Sequence, residues 1–347
     1  QYQANEVIKL NNQILMPGLI NLHTHTAMSL MRGLADGLAL QPWLHNHIWP
    51  AESKLVSPDF VYDGTVLAAA EMLSGGVTTC NDMYFFPASA AEASIKMGLR
   101  VNLGLVVIEF PTQYANDADS YIKTGLDVRD SYREQPLVSF SFAPHAPYTV
   151  SDKTFQRIAT LSNQVNIGIH THLHETKEEL SQSNEAHGLR PLARLANLDL
   201  LGPNVTFAHC VHMNAVEMRL LAEHGCSIAH CPSSNLKLAS GIAPISQYIQ
   251  YNINVGLGTD GAASNNRLDI FTEMRLAALL AKAESGDATA MPAYTAIEMA
   301  TINGAKALGL EDKIGSIEVG KRADLIAIRF SDIEMQPCFD PISHLVY

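Results

Sequence analysis

From residue 18 to residue 260 the chain repeats one pattern, a short β-branched run followed by a longer amphipathic stretch. Eight runs read as strands, at 18–22, 76–81, 99–107, 137–143, 166–172, 204–209, 226–230 and 254–259. Helical periodicity fills much of the space between them, for example over 59–74, 88–97, 152–163, 215–224 and 268–284. Strands that alternate with crossover helices pair in parallel. Roughly eight such units in about 250 residues close into a (β/α)8 barrel of the TIM type. The predicted fold class is therefore α/β, with the barrel over residues 18–313. The two ends of the chain do not fit it. Val7-Ile8-Lys9-Leu10 and Ile14-Leu15-Met16 near the start, and the stretch from Gly315 to Ile328 near the end, read as short strands with turn residues. Residues 1–17 and 314–347 are expected to form one small β-domain. The longest helix-poor stretch, 26–58, is the first strand-to-helix connection, and a loop of that length in a compact domain is usually functional.

Bulk properties narrow the function. A net charge of −12 and a pI of about 5.6 argue against nucleic acid or an anionic membrane as partner. No apolar stretch approaches the roughly 20 residues that span a bilayer; Glu71 and Glu109 interrupt the two nearest candidates. No basic region followed by an apolar one opens the chain, so no secretory signal is expected. The five cysteines are odd in number and mostly lie in apolar runs, which suits free buried thiols in a reducing, cytoplasmic setting. Asn204-Val205-Thr206 matches a glycosylation sequon but falls inside a predicted strand.

Chemistry concentrates where the runs end, which in a barrel is the face that carries active sites. His23 and His25 close the first run, His172 closes the fifth with Glu175 just beyond, His209 closes the sixth, and Asp260 closes the eighth. Three imidazoles and a carboxylate can hold one divalent cation and leave a position open for water. Glu175 would then be a proton carrier beside it. His23 and His25 are two apart, so on a strand they share a face. Within His170-Thr171-His172-Leu173-His174 three imidazoles compete; His172 is favoured, with His170 deeper in the barrel as a hydrogen-bonded core residue and His174 in the loop or a supporting position. His212 rivals His209, and Asp260 could instead cap the next helix. The fourth run ends Phe142-Ala143-Pro144-His145 without a lysine to bridge two metals, so one cation is expected. The His-x-Glu and Pro-Cys-x-x-Cys pattern of other zinc deaminases is absent.

Taken as a set, Met16-Pro17-Gly18-Leu19-Ile20-Asn21-Leu22-His23-Thr24-His25, His172-x-x-Glu175, Ala208-His209-Cys210-Val211-His212 and Thr259-Asp260-Gly261-Ala262-Ala263-Ser264-Asn265 resemble the amidohydrolase superfamily. Within it the chain is most similar to the 5′-methylthioadenosine/S-adenosylhomocysteine deaminases. The resemblance implies one Zn2+ per subunit held by His23, His25, His172 and Asp260, although Fe2+ or Mn2+ suits similar ligands. It implies Glu175, His209 and Asp260 as proton-handling residues, and Trp43, Glu52, His145, Glu175 and Ser264 as contacts to a nucleoside, with Glu52 on the ribose hydroxyls. It further implies hydrolytic deamination of an adenine nucleoside and a homodimer, and family members usually carry more chain at both ends. Members that accept S-adenosylhomocysteine place arginine near the end of the third strand. Here that stretch reads Val106-Val107-Ile108-Glu109-Phe110, and an acidic residue there would oppose a carboxylate, which favours the methylthio substrate. Met28, Leu30 and Met31 are candidates for the apolar 5′ pocket. Two other readings stand beside this one: hydrolysis of another heterocycle such as guanine, a pterin or a triazine, and a metal-binding homologue without activity.

Overall fold

The computed structural model describes residues 5–347. Ten strands follow one another: β1 (Gln13–Pro17), β2 (Leu19–Thr24), β3 (Val77–Tyr84), β4 (Arg100–Val107), β5 (Val138–Pro144), β6 (Gly168–Leu173), β7 (Val205–His209), β8 (Ser227–His230), β9 (Asn254–Leu257) and β10 (Leu325–Arg329). Strands β2 to β9 form one eight-stranded sheet in chain order, each parallel to its neighbour, with helices in the connections. This is the (β/α)8 barrel expected from the pattern. Strand β1 pairs antiparallel with β10 in a separate two-stranded sheet, with Gln13 opposite Arg329 and Pro17 opposite Leu325. No helix among the described residues is long and apolar enough to cross a membrane.

The helices begin where local chemistry allows. Ser57 accepts the Phe60 N–H and Pro58 takes the first position of helix Pro58–Ser74, where its missing N–H costs nothing. Asn214 and Glu217 satisfy each other's backbone donors in a capping box at helix Ala215–His224. Gly64, in the middle of helix Pro58–Ser74, is required by contact: a Cβ there would lie 2.5 Å from the Ala27 carbonyl oxygen. The loop that follows His25 can therefore settle directly on that helix.

The barrel closes between β2 and β9 without a continuous ladder. The seam is built from a few contacts instead. The Asp260 N–H donates to the His23 carbonyl at 2.9 Å. The Asn21 amide donates to Thr259 Oγ1 at 2.7 Å and accepts the Thr259 N–H at 3.0 Å, joining positions 238 residues apart. A Cβ on Gly258 would sit 2.8 Å from His23 Cβ and 2.9 Å from its N, so only glycine lets the last strand approach the first.

Three expectations need correction. The connection over 26–58 is largely helical: a 3-10 turn at Thr26–Met31 precedes helical segments Leu40–Trp43, Leu44–Ile48 and Trp49–Leu55. Pro42, Pro50 and the polar His45-Asn46-His47 hide the periodicity, and the middle segment is wider than an α-helix, with the Trp49 N–H donating to the Leu44 carbonyl five residues back. Such a widened turn often marks a functional site. Val7-Ile8-Lys9-Leu10 forms no strand, and its side chains are exposed; no partner edge covers them. Of the stretch from Gly315 to Ile328, Leu325–Arg329 alone enters the sheet, and Ile317 and Val319 are exposed.

Candidate metal and active site

At the carboxyl ends of β2, β6 and β7 and just past β9, the structure brings together His23, His25, His172, His209 and Asp260. Two overlapping sets have donor atoms all within 4.8 Å of one another: His23, His25 and Asp260, and His23, His172 and His209. The second set places His209, expected to handle protons, beside two of the expected ligands.

Hydrogen bonds on the far side of each ring decide which nitrogen faces inward. His25 Nδ1 donates to the Met83 carbonyl at 2.5 Å, and His172 Nδ1 donates to the His145 carbonyl at 2.7 Å. His209 Nδ1 lies 2.8 Å from Asn235 Oδ1. A carbonyl oxygen can only accept, so these contacts place the hydrogen on Nδ1 and leave Nε2 with a free lone pair. His25 Nε2 and His23 Nε2 lie 3.1 and 3.4 Å from Asp260 Oδ1. Donors around a tetrahedral zinc with bonds of roughly 2.0–2.1 Å stand about 3.3 Å apart. His23 Nε2 is fully buried without a hydrogen-bond partner, as a nitrogen would be that keeps its lone pair for a cation. The donor set therefore fits a divalent metal of the zinc type.

Asp260 is held from behind. Ser234 and Ser264 donate their hydroxyls to its Oδ2 at 2.6 and 2.7 Å, and the Gly261 N–H donates to Oδ1 at 2.7 Å. Burial works against its charge, but the His23 and His25 rings beside it outweigh this and hold the carboxyl well below the usual range. Burial penalises a charged His25, yet Asp260 lifts its pKa to about 9, so a cation at Nε2 would take the place of that proton. Four non-glycine residues at these strand ends occupy left-handed backbone, namely His174, His209, Cys210 and Asp260, at φ of 52°, 70°, 48° and 61°. Such conformations are costly and cluster at functional sites.

Glu175 follows β6 and is 4% exposed. Burial raises its pKa, with His209 pulling the other way. Its Oε2 stands 3.8 Å from His209 Nε2, and Ser240 donates to its Oε1 at 3.4 Å. Its backbone is clamped by Glu179, whose two oxygens accept the N–H groups of His174 and Glu175 at 2.9 and 2.8 Å. His212 is the clamp for Ser240, with its Nε2 donating to the Ser240 carbonyl at 2.8 Å. His174 is buried, and its Nε2 accepts the Leu192 N–H at 3.1 Å.

These groups open onto a cavity of about 520 Å3 lined by His25, Trp43, Glu52, His145, His172, Glu175, His209 and Asp260 among mainly apolar neighbours. Across it, Glu52 Oε1 accepts the Tyr84 hydroxyl at 2.8 Å. Burial pushes the Glu52 carboxyl up to about 7 despite that bond. The His145 ring lies 4.9 Å from that of His172, tilted by 56°, and its Nδ1 is 2.9 Å from Thr149 Oγ1; burial pulls it down to about 3. Met28 lines the cavity, whereas Leu30 and Met31 do not. Ser264 does not line it either: its hydroxyl is spent on Asp260, so the contact to substrate expected there is replaced by support of the carboxylate. Glu109 also departs from expectation. It accepts the Ser151 N–H at 3.0 Å and the Thr154 hydroxyl at 2.7 Å and faces a separate cleft. No lysine or arginine lines the cavity among the described residues.

Sequence reasoning missed Tyr84, Glu179, Ser234, Asn235 and Ser240. Ser234 and Asn235 sit just past the seventh barrel strand, in Cys231-Pro232-Ser233-Ser234-Asn235, and strand-end position was the signal that could have found them.

The amidohydrolase family model matches residues 14–346. A 5-methylthioadenosine/S-adenosylhomocysteine deaminase of Teredinibacter turnerae is 51% identical, over 100% of this chain and 78% of that protein. An adenosine deaminase from Xanthomonas campestris, solved with bound zinc, superposes with a TM-score of 0.95 at 48% identity, covering 97% of this chain and 76% of that one. An atrazine chlorohydrolase from Arthrobacter aurescens, solved with zinc, gives a TM-score of 0.91 at 25% identity, covering 96% and 80%. With its family model matched along nearly its whole length and its barrel shared with these enzymes, the chain belongs to the amidohydrolase family.

Proposed function

We propose that the protein is a zinc-dependent hydrolytic deaminase of adenine nucleosides, with 5′-methylthioadenosine as the preferred substrate and the methylthio-inosine analogue plus ammonia as products. The observation that carries this reading is one cavity with metal donors and a proton-holding glutamate on one side and a carboxylate aimed across it from the other. His23, His25, His172 and Asp260 would hold the cation. When bound, it acidifies water toward neutral pH and so supplies the nucleophile for hydrolysis.

The remaining work falls to side chains. Burial disfavours the charge on Glu175 and raises its pKa, which suits it to carry a proton. It can give that proton to a purine ring nitrogen, which makes the amine-bearing carbon electrophilic. His209 presents an unprotonated Nε2, fixed by Asn235, as proton acceptor. Glu52 accepts from the ribose 2′ and 3′ hydroxyls, with Tyr84 holding it in place. Trp43 and the apolar wall exclude water from the purine and the 5′ group. The absence of a cation from that wall supports a neutral 5′ substituent over the charged homocysteine tail.

The test is a panel of 5′-methylthioadenosine, adenosine, S-adenosylhomocysteine, guanine and a chlorotriazine, scored for ammonia and chloride with zinc-loaded protein. Ammonia from the nucleosides, fastest from 5′-methylthioadenosine, is expected. Turnover of only guanine or the triazine would overturn the nucleoside reading.

A further inference from the structure

The ring behind His23 differs from those behind its neighbours. His25 and His172 are backed by main-chain carbonyls, and His209 by an amide oxygen. Those oxygens can only accept, so each fixes a tautomer unaided. His23 Nδ1 instead faces another imidazole, His170 Nε2, at 3.0 Å. The two rings are nearly perpendicular, 4.9 Å apart at their centroids, and both are buried. An imidazole nitrogen can donate or accept. The proton between them therefore has two possible owners, and one arrangement alone leaves His23 Nε2 with a lone pair.

We propose that His170 is a positioning residue that makes His23 a metal ligand: it accepts the His23 Nδ1 hydrogen at its own Nε2 and so fixes the tautomer that frees His23 Nε2. His170 must then carry its hydrogen on Nδ1. That nitrogen has no hydrogen-bond partner among the described residues, so no donor there faces it to force the opposite tautomer. Loading the cation on His23 selects one arrangement of the pair. Without a cation, nothing in the protein opposes the other arrangement.

This inference rests on His23 being a ligand, not on the identity of the nucleoside. Histidine-labelled wild-type protein examined by nitrogen NMR should show His170 as the single Nδ1–H tautomer when zinc is bound. An Nε2–H tautomer in the zinc-loaded protein would overturn the proposal, whatever any variant does. Chelator competition then measures zinc affinity directly. His170→Gln, which keeps an acceptor near the Nε2 position, should stay within a few-fold of wild type. His170→Leu should lose about 10- to 100-fold, the usual scale for a group that orients a ligand. Wild-type affinity in a folded His170→Leu protein would overturn the proposal alone. Wild-type affinity in His23→Ala would overturn the metal assignment and this inference with it. Should His170→Leu not fold, the NMR tautomer decides.

Discussion

Position 175 combines a carboxylate, near-complete burial and a neighbouring imidazole 3.8 Å away, and burial raises its pKa. Glu175→Gln should bind zinc normally yet turn over at least about 100-fold more slowly, the scale of general acid–base catalysis; near-normal rates with metal bound would remove Glu175 from the chemistry. Tyr84 acts on the opposite wall. Tyr84→Phe removes the hydrogen bond to Glu52, and a typical intramolecular hydrogen bond is worth roughly 0.5–1.5 kcal/mol. A roughly tenfold rise in KM for ribonucleosides is expected, with kcat little changed and much less effect on a substrate lacking both ribose hydroxyls. Equal losses on both substrates would break the link between Tyr84, Glu52 and the sugar.

The elements around the site are joined by buried acids and close backbone contacts. Glu273, in helix Ile270–Ser285, accepts the Ser233 N–H at 3.0 Å and the Asn265 amide at 2.8 Å. It thus ties together the two short helices, Pro232–Lys237 and Ala262–Asn265, that carry Ser234 and Ser264. Burial raises its pKa from 4.5 to about 7. The folded state therefore binds more protons than the unfolded chain between those values, and the contribution of Glu273 to stability falls as pH rises from 4.5 to about 7, then levels off. Denaturant unfolding at several pH values should show a shallower decline over that window in Glu273→Gln than in wild type; parallel curves would refute the assignment. A second prediction concerns the seam. Gly258→Ala presses a methyl group onto His23, and should cost about 1–3 kcal/mol while also weakening zinc binding, as read by thermal unfolding and chelator competition.

At this scale the sequence was informative where a residue type and a strand end coincided. All eight barrel strands lie within a few residues of their expected places, and His23, His25, His172 and Asp260 converge as their positions implied. Strand β3 runs on to Tyr84 rather than stopping near 81, because Asn81 and Asp82 look like turn residues but are buried, bonded to the Leu22 carbonyl and the Thr26 N–H. Ser240, Asn235 and Glu179 left no periodic trace, since each acts through one or two hydrogen bonds to a partner fixed by the fold. The direction of Glu109 was unreadable for the same reason: Ser151 and Thr154, over 40 residues on, turn it away from the cavity.

For the whole molecule, the site and the closure of the barrel are one structure. Asn21 with Thr259, and His23 with Asp260, join the first barrel strand to the residues just past the last. A ligand that binds only the folded state stabilises it by mass action, about 2.7 kcal/mol at a hundredfold excess over Kd. Zinc should therefore raise Tm, and its removal should increase hydrogen exchange in β2 and β9 before the other strands. Uniform exchange on chelation would show that the cation does not hold the seam. Synthesis gives this arrangement a direction in time. His23 and His25 leave the ribosome long before Asp260, so the growing chain first carries two imidazoles without their carboxylate. The proposed metal donors are complete only once the final strand has docked against the first, so a cation held by all of them would mark a closed cylinder.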